Sequence, residues 1–184
     1  MSKRSLVWVL VLLVSFSLAG CFSQKEPVPV IVDEHGDLTM VFEATPNIDV
    51  ATSNPNRYAG DNNRLYKQDH EEAYVVYQVP GFPDGNFTGF EVVTWYNKDF
   101  DVAYPGPMSF AVSSDNIQYT VLSNVTKESQ SVSGTTWRKV VWSCHNLPAE
   151  TKYLKIIFGD TSQNRANWMI QIGRTTLYYA ITEN

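Results

Sequence analysis

Chemistry-bearing side chains are sparse in this 184-residue chain, and few stand at spacings that would let them act together. There are two cysteines. Cys21 ends the run Leu18-Ala19-Gly20-Cys21, where small residues close an apolar stretch. Cys144 stands beside His145 in "VVWSCHNLP". A thiol next to an imidazole could form a nucleophile–base pair, but adjacent residues on a strand point to opposite faces. Cys144 is therefore expected to be a small apolar filler at a strand end. The three histidines, His35, His70 and His145, are scattered and suggest no zinc site. No nucleophile elbow, P-loop, dinucleotide fingerprint or His-Glu-x-x-His motif is present. Carboxylates lie mostly in polar connecting stretches, so a non-catalytic protein is expected.

The segment before Cys21 reads as an address. Lys3 and Arg4 precede a nearly unbroken apolar run from Leu6 to Leu18, and small residues follow. That is the layout of a secretory signal. The run is short of the roughly 20 apolar residues of a spanning helix. Leu18-Ala19-Gly20-Cys21 resembles the bacterial lipobox. The resemblance implies that the Cys21 thiol is acylated and that the signal is removed just before it, leaving Cys21 as the new amino end. Two or three chains anchor stably, at roughly 0.8 kcal/mol per buried methylene. The expected organisation is a signal over 1–20, a lipidated start and tether over 21–36, and one domain over 37–184. The expected location is the extracytoplasmic face of a bacterial cell membrane.

Loss of Lys3 and Arg4 takes the formal charge from −5 to about −7. An acidic body argues against nucleic acid and against electrostatic docking on anionic lipid, so the membrane is reached through the lipid alone. With Cys21 acylated, Cys144 has no partner, and the domain must rely on its core instead of a disulfide. Aromatics make up 13% of the chain, including five Trp and ten Tyr. Some must fill a core, and the excess hints at a surface that binds flat apolar faces.

The body shows short apolar or alternating runs bounded by turn residues. Strands are expected near "LTMVFEA", "AYVVYQV", "FTGFEVVTWY", "MSFAVSS", "IQYTVL", "TWRKVVWSC", "KYLKIIFG" and "WMIQIGRTTLYYAI". "SSDNIQY" signals a tight hairpin, with Asp115-Asn116 suited to left-handed positions. The expected fold class is all-β: two packed antiparallel sheets. Antiparallel succession sends alternate connections to the same end. The long ones, 44–72, 98–106, 123–135 and 159–167, should gather there, and binding residues concentrate on such loops. Their mixture of Asn, Asp, Gln, Arg and Tyr suits carbohydrate: amides and carboxylates for hydroxyls, rings for the apolar face of a pyranose. Arg64, Tyr66, Tyr104 and Trp168 lead the candidates, with Asn63 and Arg165 beside them. Trp95, Trp137 and Trp142 lie inside strand patterns and are assigned to core or sheet faces.

"FAVSSDNIQYTVL", "LPAETKYLKIIFG" and "WMIQIGRTTLYY" are similar to the galactose-binding-like jelly roll of discoidin-type domains and bacterial carbohydrate-binding modules. Ser114, Asp115, Asn116 and Tyr119 match its hairpin, with Asn116 where glycine is usual, and Leu147, Pro148, Tyr153 and Ile156 match its next element. These motifs belong to the scaffold and specify fold better than function. The resemblance raises a structural calcium, for which Asp61, Asp69 and Glu71 are hard oxygen donors without the regular spacing of a calcium loop. No cofactor is otherwise required. The expected function is carbohydrate binding without catalysis. The alternatives are a sandwich that holds a protein partner and a small polysaccharide-acting enzyme.

Overall fold

The apolar alternation of the sequence is realised as twelve strands among the described residues. A computed structural model describes residues 30–33, 38–52, 58, 61–97, 108–159 and 170–181. Strands β1 (Val30–Asp33), β2 (Glu43–Ala44), β3 (Ile48–Thr52), β4 (Asn63–Lys67), β5 (Ala73–Gln78) and β6 (Gly85–Asn97) form the first half. They are followed by β7 (Met108–Ser113), β8 (Thr120–Val121), β9 (Thr126–Ser131), β10 (Trp137–Cys144), β11 (Tyr153–Phe158) and β12 (Ile170–Ile181). One sheet has seven strands in the order β3-β4-β12-β6-β10-β9, with β1 also on β12. The other has five, in the order β2-β5-β11-β7-β8. Every pairing is antiparallel. The chain is therefore an all-β, two-sheet antiparallel sandwich consistent with a jelly roll.

Alternate residues of each central strand face inward and meet between the sheets. Phe90 of β6 stacks on Phe110 of β7 across the gap at 4.9 Å, and Phe110 also meets Trp142 of β10 at 5.6 Å. Leu154, Ile156, Phe158, Ile170 and Ile172 are fully enclosed in the same cluster. The Trp142 indole donates to Thr94 Oγ1 at 2.8 Å, and that hydroxyl donates to the Val140 carbonyl, so these two buried groups are matched. Cys144 is a free, buried cysteine packed in this core, while His145 is exposed, as strand alternation requires.

Two expected connections contain strands among the described residues. Residues 44–72 hold the β3–β4 hairpin, and 123–135 holds β9. "LTMVFEA" is a 3-10 turn at Leu38–Met40 followed by only two paired residues, and "IQYTVL" keeps only Thr120–Val121. Part of the segment read as tether, 30–33, pairs with β12 over Thr175–Tyr178.

The strand directions define two ends. At the turn end lie the connections 79–84, 114–119 and 145–152, stitched across the sheets by Phe87 N–H to Thr151 O and within the five-stranded sheet by Lys152 N–H to Ser113 O. At the loop end lie 45–47, 68–72 and 132–136, and the strand termini flanking 98–107 and 160–169 also point there. Two added strands in 44–72 preserve the alternation. One added strand in 123–135 would reverse it, but the short β8 and β9 run the same way, so the described strand termini flanking the long connections share an end.

Candidate functional site

The turn end carries a polar groove built by three connections. The first is the β7–β8 hairpin. Ser113 Oγ donates to Asp115 Oδ1 at 2.8 Å and accepts from the Asn116 N–H at 3.0 Å. Asp115 Oδ1 also accepts from the N–H groups of Ile117 and Gln118 at 2.9 and 3.0 Å. These bonds hold the Asp115 carboxyl below its usual range, the Gln118 N–H contributing most. Asn116 takes φ +61°, the left-handed position its short amide tolerates, and Asp115 does not.

The second connection is 145–152. Thr151 is buried and its hydroxyl donates to Pro148 O at 2.7 Å. Beside it Glu150 sits at φ +62°, an uncommon conformation for a residue with a long side chain. The third is the β5–β6 turn, where Lys152 reaches over to donate to Pro83 O at 2.5 Å and Gly85 O at 2.7 Å. Lys152 thus ties two connections together.

Between them run two adjoining hollows. One, of about 460 Å³, lies between the hairpin and 148–151 and is lined by Asp115, Gln118 and Thr120 among others. The other, of about 370 Å³, is lined by Pro83, Asp84, Asn86 and Lys152. Ser114 and Glu150 line both. Asn86 Oδ1 is buried without a hydrogen-bond partner among the described residues. Phe82, half exposed, stands at the rim and meets Tyr153 at 6.0 Å.

Beside the groove, the outer face of the five-stranded sheet carries a second polar array. Lys155 Nζ lies 4.3 Å from the Tyr74 ring centre and 3.8 Å from that of Tyr119. Glu43 accepts from Tyr74 Oη at 2.7 Å and from Asn116 Nδ2 at 3.3 Å. The Tyr74 bond is the main cause of a lowered Glu43 pKa, and burial pushes the Tyr119 phenol up. These groups largely satisfy one another.

The chain matches no family model and no curated protein with which it was compared.

The structure corrects the leading sequence candidate. Arg64 is 1% exposed. Its Nε donates to Gln171 Oε1 at 2.6 Å and its Nη1 to the carbonyls of Asp61 and Asn62 at 2.5 and 3.2 Å. The guanidinium stacks 3.6 Å over the Tyr58 ring, and Tyr58 packs edge-on against Trp95 and Trp137. Arg64 is a clamp that fastens this chain segment over the outer face of the seven-stranded sheet, not a contact open to ligand. Trp95 and Trp137 accordingly form a second small core there, while Trp142 belongs to the main one.

Tyr66 is half-buried on the same face, its hydroxyl donating to Asp49 at 3.3 Å. Asn63 accepts from the Thr52 hydroxyl at 3.1 Å. Asp61 Oδ2 accepts from the Trp95 indole at 2.6 Å, whereas Asp69 accepts from Asn47 and from the Glu71 N–H. Asp61, Asp69 and Glu71 are thus not brought into one ligand set, and no group of three metal-ligating side chains occurs among the described residues. Cys21, Tyr104, Arg165 and Trp168 lie outside the described residues. None of Arg64, Tyr66 and Asn63 lines the groove. Of its residues, Ser114 and Asp115 carried a sequence signal, but as scaffold; Asp84, Asn86, Glu150 and Lys152 carried none.

Proposed function

We propose that this protein is a lipid-anchored, extracytoplasmic lipoprotein whose sandwich, of the galactose-binding-like jelly-roll type, binds carbohydrate without catalysis in the turn-end groove. The observation that carries this reading is the groove lining. Carboxylates, amides and hydroxyls from Asp84, Asn86, Ser114, Gln118 and Glu150 converge beside an exposed ring, Phe82, and the buried Asn86 Oδ1 awaits a donor. Sugar hydroxyls supply both donors and acceptors for such groups, and the ring takes the apolar face of a pyranose. A left-handed Glu150 supports it too, since backbone held in a sparsely populated region clusters at binding sites.

Such a shallow site binds weakly, because each hydroxyl gives up a bond to water first. Dissociation constants on the order of micromolar to millimolar follow. The test is a glycan screen of the protein, then titration of the best ligand. Asn86→Ala and Glu150→Gln should each weaken binding by about tenfold, or about 1.4 kcal/mol, with the melting midpoint nearly unchanged. Binding that ignores both substitutions, or no ligand up to about millimolar, refutes the reading. Asp84 and Glu150 in one groove are the single feature favouring a glycan-cleaving enzyme. Product analysis of the bound glycan after long incubation separates the two, and cleavage lost in Glu150→Gln would establish the second.

A further inference from the structure

The exposed apolar side chains of this sandwich are not spread evenly. Seven large ones are exposed among the described residues: Leu38, Met40, Phe42, Phe82, Ile117, Val121 and Ile181. Phe82 lies in the β5–β6 turn, Ile117 at the β7–β8 hairpin, and Ile181 at the last position of β12, opposite Gly85, all at the turn end. Phe42 packs on Tyr153 at 5.6 Å and Phe82 on the other side of it at 6.0 Å. A Cβ on Gly81 would stand 3.4 Å from Ile181 Cδ1, so Ile181 adjoins the same turn. Val121 pairs with Ala111 two residues from the end of β7. Leu38 and Met40 belong to the turn that leads into Phe42. The loop end has no comparable side chain among the described residues.

The chain itself says what faces this rim. β1 runs antiparallel to β12, Val30 opposite Tyr178 and Asp33 opposite Thr175, so the chain before Val30 arrives from the turn end. Nine Cα-to-Cα steps separate Cys21 from Val30, and at about 3.3–3.6 Å each they span at most about 32 Å. A lipid on Cys21 would therefore keep the turn end nearer the membrane than the loop end, within the reach of that tether.

Charge argues that contact would be apolar. Asp84, Asp115 and Glu150 stand at this end, and of the described cations nearby, Lys152 is engaged by the Pro83 and Gly85 carbonyls and Lys155 by the Tyr74 and Tyr119 rings. Acidic groups gain nothing from anionic headgroups, whereas Phe and Ile gain from the acyl boundary.

We infer that the turn end is a lipid-docking surface. Ile117 and Ile181 insert into the outer boundary of the bilayer that carries the anchor, and the groove, with Phe82 left at its rim, opens at the lipid surface. This rests on the lipid-anchor reading of Cys21. The sugar such a groove meets is membrane-proximal.

The test uses the full-length protein, isolated with its own lipid and reconstituted in phosphatidylcholine vesicles. Nitroxide labels are placed by Ile117→Cys and, separately, Ile181→Cys at the turn end, with Ser133→Cys at the loop end as reference. Cys144, 3% exposed, stays unlabelled. Both turn-end labels should collide with oxygen in preference to a water-soluble nickel chelate, at depths of about 5–10 Å, unchanged by high salt, and the Ser133→Cys label should do the reverse. Turn-end labels as open to the chelate as the loop-end label, in protein that floats with the vesicles, overturn the docking surface and leave the anchor standing. Protein that does not float overturns the anchor, and the docking surface with it.

Discussion

Arg64→Ala separates a structural clamp from a ligand contact. The substitution leaves the Gln171 amide oxygen, 5% exposed, without its charged donor, at about 1–3 kcal/mol. Loss of the stack on Tyr58 adds about 1–2 kcal/mol. The Asp61 and Asn62 carbonyls sit in an intermediate and an exposed residue and regain water, so they add little. The expected destabilisation is about 2–5 kcal/mol, and at about 2–4 °C per kcal/mol for a domain of this size the melting midpoint falls by roughly 4–20 °C. Tryptophan fluorescence is the natural probe, because Trp95 and Trp137 pack against Tyr58 beneath the guanidinium. Gln171→Met in an Arg64→Met background should recover part of the loss, since an acceptor that is absent cannot be orphaned. A midpoint within about 2 °C of the parent, together with lost sugar binding, would refute the clamp and restore Arg64 as a contact.

Two further outcomes are expected. Glu43, Asp49 and Asp115 all have folded pKa values below their ordinary 4.5, 3.8 and 3.8, chiefly through the Tyr74 hydroxyl, the Val50 N–H and the Gln118 N–H respectively. Each holds fewer protons folded than unfolded in that range, so its stabilisation is complete above the ordinary value and lost as pH falls through the folded one. Urea midpoints should therefore be level above about pH 5 and drop below about pH 4, with Tyr74→Phe making the drop shallower; a Tyr74→Phe profile that superimposes on the parent would contradict the assignment for Glu43. Gly173 opposes the Asp61 carboxylate at the β12 irregularity, and an added Cβ would lie 2.9 Å from Asp61 Cγ and 3.0 Å from Trp95 Nε1. Gly173→Ala should cost about 1–3 kcal/mol in urea unfolding, and an unchanged or raised midpoint would show that Asp61 moves aside freely.

What could be read in the sequence follows from which residues bury a face. The six central strands β5, β6, β7, β10, β11 and β12 announce themselves because each sets apolar side chains into the gap between sheets. β9, "TKESQS", is exposed at every position, so no alternation exists to be seen. β4, "NRLYK", hides its strand character behind Arg64 and Lys67, which are buried because distant groups receive them. Arg64 meets Gln171, 107 positions away, and Lys67 donates to Gly159 O, 92 away. The hairpin at Asp115-Asn116 was legible because its bonds are local. The groove was not, because its side chains come from three separate connections that converge only once both sheets end together.

The pairing of β1 with β12 also has a mechanical side. In an antiparallel ladder the hydrogen bonds lie across the strands. A tug on the chain before Val30, directed out of the turn end, runs along β1. The four paired residues, 30 to 33, would then share the load at once instead of parting one after another, so a pull from that side meets the shear resistance of this ladder before β1 can leave the sheet.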